Sequence, residues 1–134
     1  MTTSNGSERQ DEGSRPSLWQ DYHKGMDVDS LILSFKNHMK YTMAKDHYTA
    51  TDWDHFYSMS RVIMDRLIER WIATQQTYYN TDAKRVYYLS MEFLTGRALT
   101  NALMSVGIYD DAKTACTQLG ADFEGLLDLE ADPG

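Results

Sequence analysis

Only one run in these 134 residues reads as a β-strand, and that constrains the chain more than any other feature. Residues 86–91 bring together Val86, Tyr87, Tyr88, Leu89 and Met91, a β-branched and aromatic stretch preceded by polar Thr81, Asp82 and Lys84. The run is too short for an average helix. Its nearly continuous apolar character predicts burial on both faces, as in a parallel sheet covered by helices. A lone strand makes no sheet, because the backbone donors and acceptors along both its edges need partners. No second strand is legible, so the expected class is α/β with a sheet that these residues do not complete. Glu92 falls at the carboxyl end of the run, the edge where open α/β sheets bind ligands, and Gly96 with Arg97 begins a new element. A carboxylate there either faces a site, pairs with Arg97 or caps the next helix.

Helical patterns surround the run. Leu31, Ile32, Phe35, Met39 and Met43 recur at helical spacing from Asp29, which can cap the first turn, and the pattern fades near Lys45 and Asp46. Thr51 opens a second helix with Asp52 and Asp54 in its first turn. Its expected apolar face holds Trp53, Phe56, Tyr57, Ser60, Ile63, Met64, Leu67, Ile68, Trp71 and Ile72, with Arg61, Asp65, Arg66, Glu69 and Arg70 elsewhere on its surface. If helical to Tyr78 it runs about 40 Å at 1.5 Å per residue, and so wide an aromatic stripe needs more floor than one short helix and one strand supply. Ala98, Leu99, Ala102, Leu103 and Val106 predict a third helix closed by Gly107. Residues 110–119 predict a fourth closed by Gly120, and Phe123, Leu126, Leu127 and Leu129 a short acidic fifth. Residues 1–24 are expected to form a disordered tail, since almost nothing apolar precedes Leu18 to offset the entropy of ordering.

The net charge of −7, from 13 basic and 20 acidic side chains, argues against nucleic acid or an anionic membrane surface as a partner. No stretch approaches the ~20 apolar residues of a membrane span, and the polar start lacks the apolar centre of a signal peptide, so the expected location is cytoplasmic. Cys116 is the one cysteine, which excludes an internal disulfide and reads as packing. His38, His47 and His55 read as surface or packing histidines, and no residues have metal-ligand spacing.

Three segments carry a resemblance. FKNHMKYTMAKD, RWIATQQTYYNTDAKRVYYLSMEFLTGRAL and LGADFEGLLDLEADPG are similar, in order and spacing, to the amino-terminal part of the α-glucan (glycogen and starch) phosphorylases. The resemblance runs from about Leu31 to Gly134 and implies a mostly helical N-terminal fragment, with one strand, of a large two-domain doubly wound enzyme of the glycosyltransferase-B-like kind. Residues 25–134 would then be an incomplete domain, ending just before the family's glycine-rich anion loop. The family cleaves terminal α-1,4-glucosidic bonds with inorganic phosphate, releasing glucose 1-phosphate, and acts as a homodimer. Its cofactor is pyridoxal 5'-phosphate, whose own phosphate relays a proton. No segment here resembles the surroundings of the lysine that binds the cofactor, so no catalytic, cofactor-binding or metal-binding residue of the family is expected in this chain, and the chain alone is expected to be inactive.

By the same resemblance Glu92 lines the sugar pocket, where a carboxylate accepts hydrogen bonds from hydroxyls or orders water. Gln75, Gln76 and Tyr79 match contacts to AMP in vertebrate members, Tyr79 being suited to stacking on a base. Arg85 matches the phosphate region, and Asp46 a segment that reaches the other subunit's nucleotide site. Two departures weigh against nucleotide regulation: Ala73 stands where the muscle member has arginine, and Tyr48 replaces a small polar residue. Ser14 and Ser17 lack the basic neighbours of the family's phosphorylated serine. Without the resemblance, residues 75–79 read equally as a polar helix end with an aromatic anchor. Two other readings stand beside the enzyme fragment: a non-catalytic dimerisation or regulatory module, and a freestanding helical domain.

Overall fold

A computed structural model describes residues 23–93 and 95–132. The expectation of a disordered tail falls mainly on residues outside that description, as do Ser14, Ser17 and the final Pro133 and Gly134. Five α-helices are present among the described residues: α1 (Val28–Asn37), α2 (Asp52–Asn80), α3 (Leu99–Val106), α4 (Tyr109–Leu119) and α5 (Phe123–Asp128). No described helix is long and apolar enough to cross a membrane.

The helix ends follow local chemistry. Asp27, rather than Asp29, caps α1: its carboxylate accepts from the Ser30 amide at 3.0 Å and the Ser30 hydroxyl at 2.6 Å. α1 passes into a π-helical turn, His38–Thr42, in which the Met43 amide reaches back to the His38 carbonyl at 2.9 Å. Ala44 then takes a positive φ of 54° and the helical path stops there. A capping box opens α2 at Thr51, the residue at which the sequence predicts its start. The Thr51 hydroxyl accepts from the Asp54 amide, and the Asp54 carboxylate accepts from the Thr51 amide at 2.8 Å. Gly107 (φ 83°) and Gly120 (φ 73°) close α3 and α4 in the left-handed region that side chains with a Cβ avoid.

One core joins all five helices. Leu31, Phe35 and Met39 meet Met59, Val62 and Ile63 of α2, Leu99, Leu103 and Val106 of α3, and Phe123 and Leu126 of α5. Ala112, Ala115 and Cys116 keep α4 thin where it packs on α1. Cys116 is fully buried, as its packing role predicts, and burial pushes its thiol up to about 11, far from a reactive thiolate.

Two expectations are corrected. No strand is present among the described residues: residues 83–93 and 95–98 run as irregular chain, with Val86, Tyr87, Tyr88, Leu89 and Met91 all exposed. The reason is the one anticipated for a lone strand, since neither edge finds a partner. The α/β class is therefore not realised within these residues, which fold as helices. The second correction concerns the packed face of α2. Ser58, Met59, Val62, Ile63 and Arg66 are buried, while Trp53, Tyr57, Met64, Leu67, Ile68, Trp71 and Ile72 of the expected face are exposed. Arg66, expected on the solvent side, is 1% exposed. Its guanidinium donates to the Gly25 carbonyl at 2.7 and 3.0 Å, to the Val62 carbonyl at 2.9 Å and to the Ser34 hydroxyl at 3.3 Å. Those acceptors let a charged group replace an apolar one in the packed seam.

Candidate functional site

The last turns of α2 and the chain that leaves it hold most of the residues singled out by sequence. Because α2 stays helical to Asn80, Gln75, Tyr78 and Tyr79 fall on its final turns. The positive φ of Asp82 (48°) then turns the chain back along the helix end. Arg85 returns to α2 in this way. Its guanidinium lies 4.6 Å from the Tyr79 ring centre and 5.7 Å from that of Tyr78. One of its nitrogens donates to the Gln75 side-chain oxygen at 3.3 Å. Trp71, Gln75, Tyr78, Lys84, Arg85, Val86 and Tyr87 line an open cleft of about 580 Å³ here. Two cations, a side-chain amide and several aromatic faces in one cleft suit a planar anionic ligand.

Gln76 is exposed and does not line this cleft. Asp46 lies before the opposite end of α2, a helix of 29 residues, or about 43 Å. It is tied into its own turn: its carboxylate accepts from the amides of Tyr48 and Thr49 at 3.1 and 2.9 Å and from the Thr49 hydroxyl at 2.8 Å. Those bonds, the Thr49 hydroxyl foremost, hold Asp46 below the usual carboxylate range. Asp46 also lines a second cleft, of about 510 Å³, with Phe35, Lys36, Lys40, Lys45 and His47. Within one chain, then, Gln75, Tyr79 and Arg85 come together and Asp46 does not join them.

Glu92 is exposed on the irregular segment. Its amide donates to the Ser90 hydroxyl oxygen at 3.2 Å, and that hydroxyl donates to the Glu92 carbonyl at 2.8 Å. Neither structural alternative for its carboxylate is realised. Arg97 pairs with Asp128 at 3.3 Å, and the first amides of α3, on Ala98 and Leu99, donate to the Glu130 carboxylate at 2.7 to 3.2 Å. Both jobs are done from the far end of α5, about thirty residues along the chain. No local motif betrays Glu130, since a cap from so distant a residue leaves no spacing to read. The sequence reading also missed that His38 has partners: its Nε2 lies 2.9 Å from Asp65, which His23 approaches as well.

No protein-family model matches the chain. Curated proteins do. The brain form of glycogen phosphorylase from Homo sapiens is 43% identical over 108 residues, which is 81% of this chain and 13% of that protein. The chain is a relative of the glycogen phosphorylases. The human liver form is 42% identical and the Mus musculus muscle form 40%, each over 107 residues that make 80% of this chain and 13% of theirs. The chain thus matches only 13% of the length of these curated phosphorylases, while four-fifths of its own residues are accounted for. That extent supports the reading of the chain as a phosphorylase amino-terminal portion.

The residues described do not fit pyridoxal phosphate. Schiff-base chemistry needs a lysine amine held in a desolvated pocket. Of the described lysines, Lys24, Lys36, Lys40, Lys84 and Lys113 are exposed and Lys45 is half-buried, 4.0 Å from Asp54. Lys113 moves the other way, raised by its hydrogen bond and ion pair with Glu124 at 2.9 Å.

Proposed function

We infer that this chain is the amino-terminal part of an α-1,4-glucan phosphorylase, contributing to phosphorolysis of terminal glucosidic bonds and hence to glycogen metabolism. The observation that carries this reading is the 40–43% identity to glycogen phosphorylases across four-fifths of the chain. The exposed apolar run at residues 86–91 and the uncovered side of α2 support it, because both have the composition of buried surface. In this reading a larger body supplies the sheet partners of residues 86–91, the cofactor with its lysine and the anion loop. Glu92, with its carboxylate free among the described residues, takes its place beside the glucan. The chain by itself turns over no substrate.

The decisive test replaces the matching 108 residues of the human brain relative with the corresponding stretch of this chain and measures glucose 1-phosphate release from glycogen and phosphate. A soluble, cofactor-loaded chimera that retains phosphorolysis, and loses at least tenfold on Glu92→Ala, is the expected result. A chimera equally well folded and loaded but inert would sink the assignment.

The nucleotide residues belong to the same reading. Tyr79 offers a base-stacking face, Arg85 a phosphate contact, Gln75 and Gln76 polar contacts, and Asp46 reaches the same ligand from the second protomer of a homodimer. The distance along α2 between Asp46 and Gln75 favours that two-chain arrangement. AMP titration of the chimera, with and without Arg85→Ala, tests it, and equal heats would remove these residues from any nucleotide site. A second reading, a non-catalytic dimerisation or regulatory module, draws on the exposed Leu67, Trp71 and Ile72. Sedimentation of the chain at rising concentration, alone and with a full-length relative, separates it from the first.

A further inference from the structure

His23, His38 and Asp65 come from three separate parts of the chain and converge on one point beside α2. His23 precedes α1, His38 begins the π-helical turn and Asp65 lies midway along α2. The His23 Nδ1 and His38 Nε2 atoms lie 2.5 and 2.9 Å from the same oxygen of Asp65, and the three atoms fall within 4.8 Å of one another. The rings are 5.9 Å apart between centres and tilted, so their edges rather than their faces meet at the carboxylate. We propose that this cluster is a binding site for a divalent transition metal of the zinc class.

The donor set suits such an ion. Two imidazoles and one carboxylate are ordinary zinc ligands, and imidazole nitrogen selects against calcium and magnesium. Tetrahedral zinc with bonds near 2.0–2.1 Å places its ligand atoms about 3.3 Å from each other. Parting the nitrogens from the carboxylate oxygen by less than about 1 Å, a rotation of side chains, makes the required space. An outer partner already orients one ligand. His38 Nδ1 lies 3.0 Å from the Thr42 hydroxyl, one turn along the same π-helical segment. Without metal, His38 Nε2–H donates to Asp65 and Nδ1 accepts from Thr42. With metal on Nε2 the proton sits on Nδ1 and donates to the same hydroxyl, so the contact survives the change of tautomer. The neighbouring Lys24 is paired with Glu69 at 3.2 Å, and Arg66 points its guanidinium into the core. The cluster is partly exposed, with His23 39% and His38 13% exposed at their side chains.

The test is Co²⁺ titration of the whole 134-residue chain followed by its visible absorption, with Zn²⁺ competing and thermal melting in parallel. A tetrahedral Co²⁺ band displaced by Zn²⁺, and a rise in Tm with Zn²⁺, are expected. His23→Ala, at the most exposed position, and the isosteric Asp65→Asn each weaken binding at least tenfold. His47→Ala, whose imidazole lies outside the cluster, leaves it unchanged. Absence of a band, wild-type affinity in His23→Ala or Asp65→Asn, or an equal loss in His47→Ala overturns the site.

Discussion

The two halves of α2 are one helix with two fates. Its first half, through Arg66, presses Met59, Val62 and Ile63 into the core, and even its buried charge finds three acceptors. Its second half carries comparable apolar bulk in Leu67, Ile68, Trp71 and Ile72, all exposed, and leads into the exposed run at residues 86–91. Both halves satisfy their backbone internally, so helicity does not distinguish them. What differs is the floor. The first half meets α1, α3 and α5, whereas the second extends past them. Arg70, near the boundary, still donates to the Val106 carbonyl at 3.0 Å, and this is where α3 ends. The second half therefore carries apolar surface that these helices leave uncovered.

Substitutions on either side of that boundary should separate sharply. Ile63→Ala, at a position 2% exposed, is expected to cost about 3 kcal/mol in urea unfolding, from lost burial and a residual cavity. Arg66→Met keeps the volume but strands the Gly25 and Val62 carbonyls and should cost about 2 kcal/mol. Thr51→Ala removes the capping box and should cost about 1 kcal/mol. Trp71→Ala, despite its size, should change stability by less than about 0.5 kcal/mol. An equal loss for Trp71→Ala and Ile63→Ala would erase the distinction between the halves. Transplanted into a full-length relative, Trp71→Ala should instead become costly, which sharpens it.

Acid offers a smaller probe of the ordered half. The Asp54 carboxylate is lowered chiefly by the Thr51 backbone amide and Asp27 chiefly by the Ser30 hydroxyl, both from 3.8. A depressed folded value means the unfolded chain binds protons first, so this stabilisation is complete above 3.8 and is lost as pH falls through the lowered folded values. Urea midpoints taken downward from about pH 5 should fall in that window, and less steeply in Thr51→Ala.

Much of the local structure was legible. Thr51 with Asp54, and Gly107 and Gly120 at helix ends, are short-range devices, and each acts where the sequence places it. The grouping of Gln75, Tyr79 and Arg85 could be anticipated only by likeness to a family, because a positive φ at Asp82 brings Arg85 back. The buried face of α2 was misread for a physical reason. Hydrophobicity marks what needs covering, and α2 has more such surface than these helices cover.

Sequence by itself determined where α2 starts and where α3 and α4 stop, that residues 86–91 would lack a strand partner, and which family the chain resembles, since each depends on neighbours in the chain or on direct likeness. Tertiary structure alone decided which stripe of α2 is buried, that Arg66 lies in the core, that Glu130 caps α3, and that His23 and His38 share Asp65. Those outcomes join residues far apart in the chain, and only packing, which selects among competing apolar faces by what is at hand to cover them, could choose them.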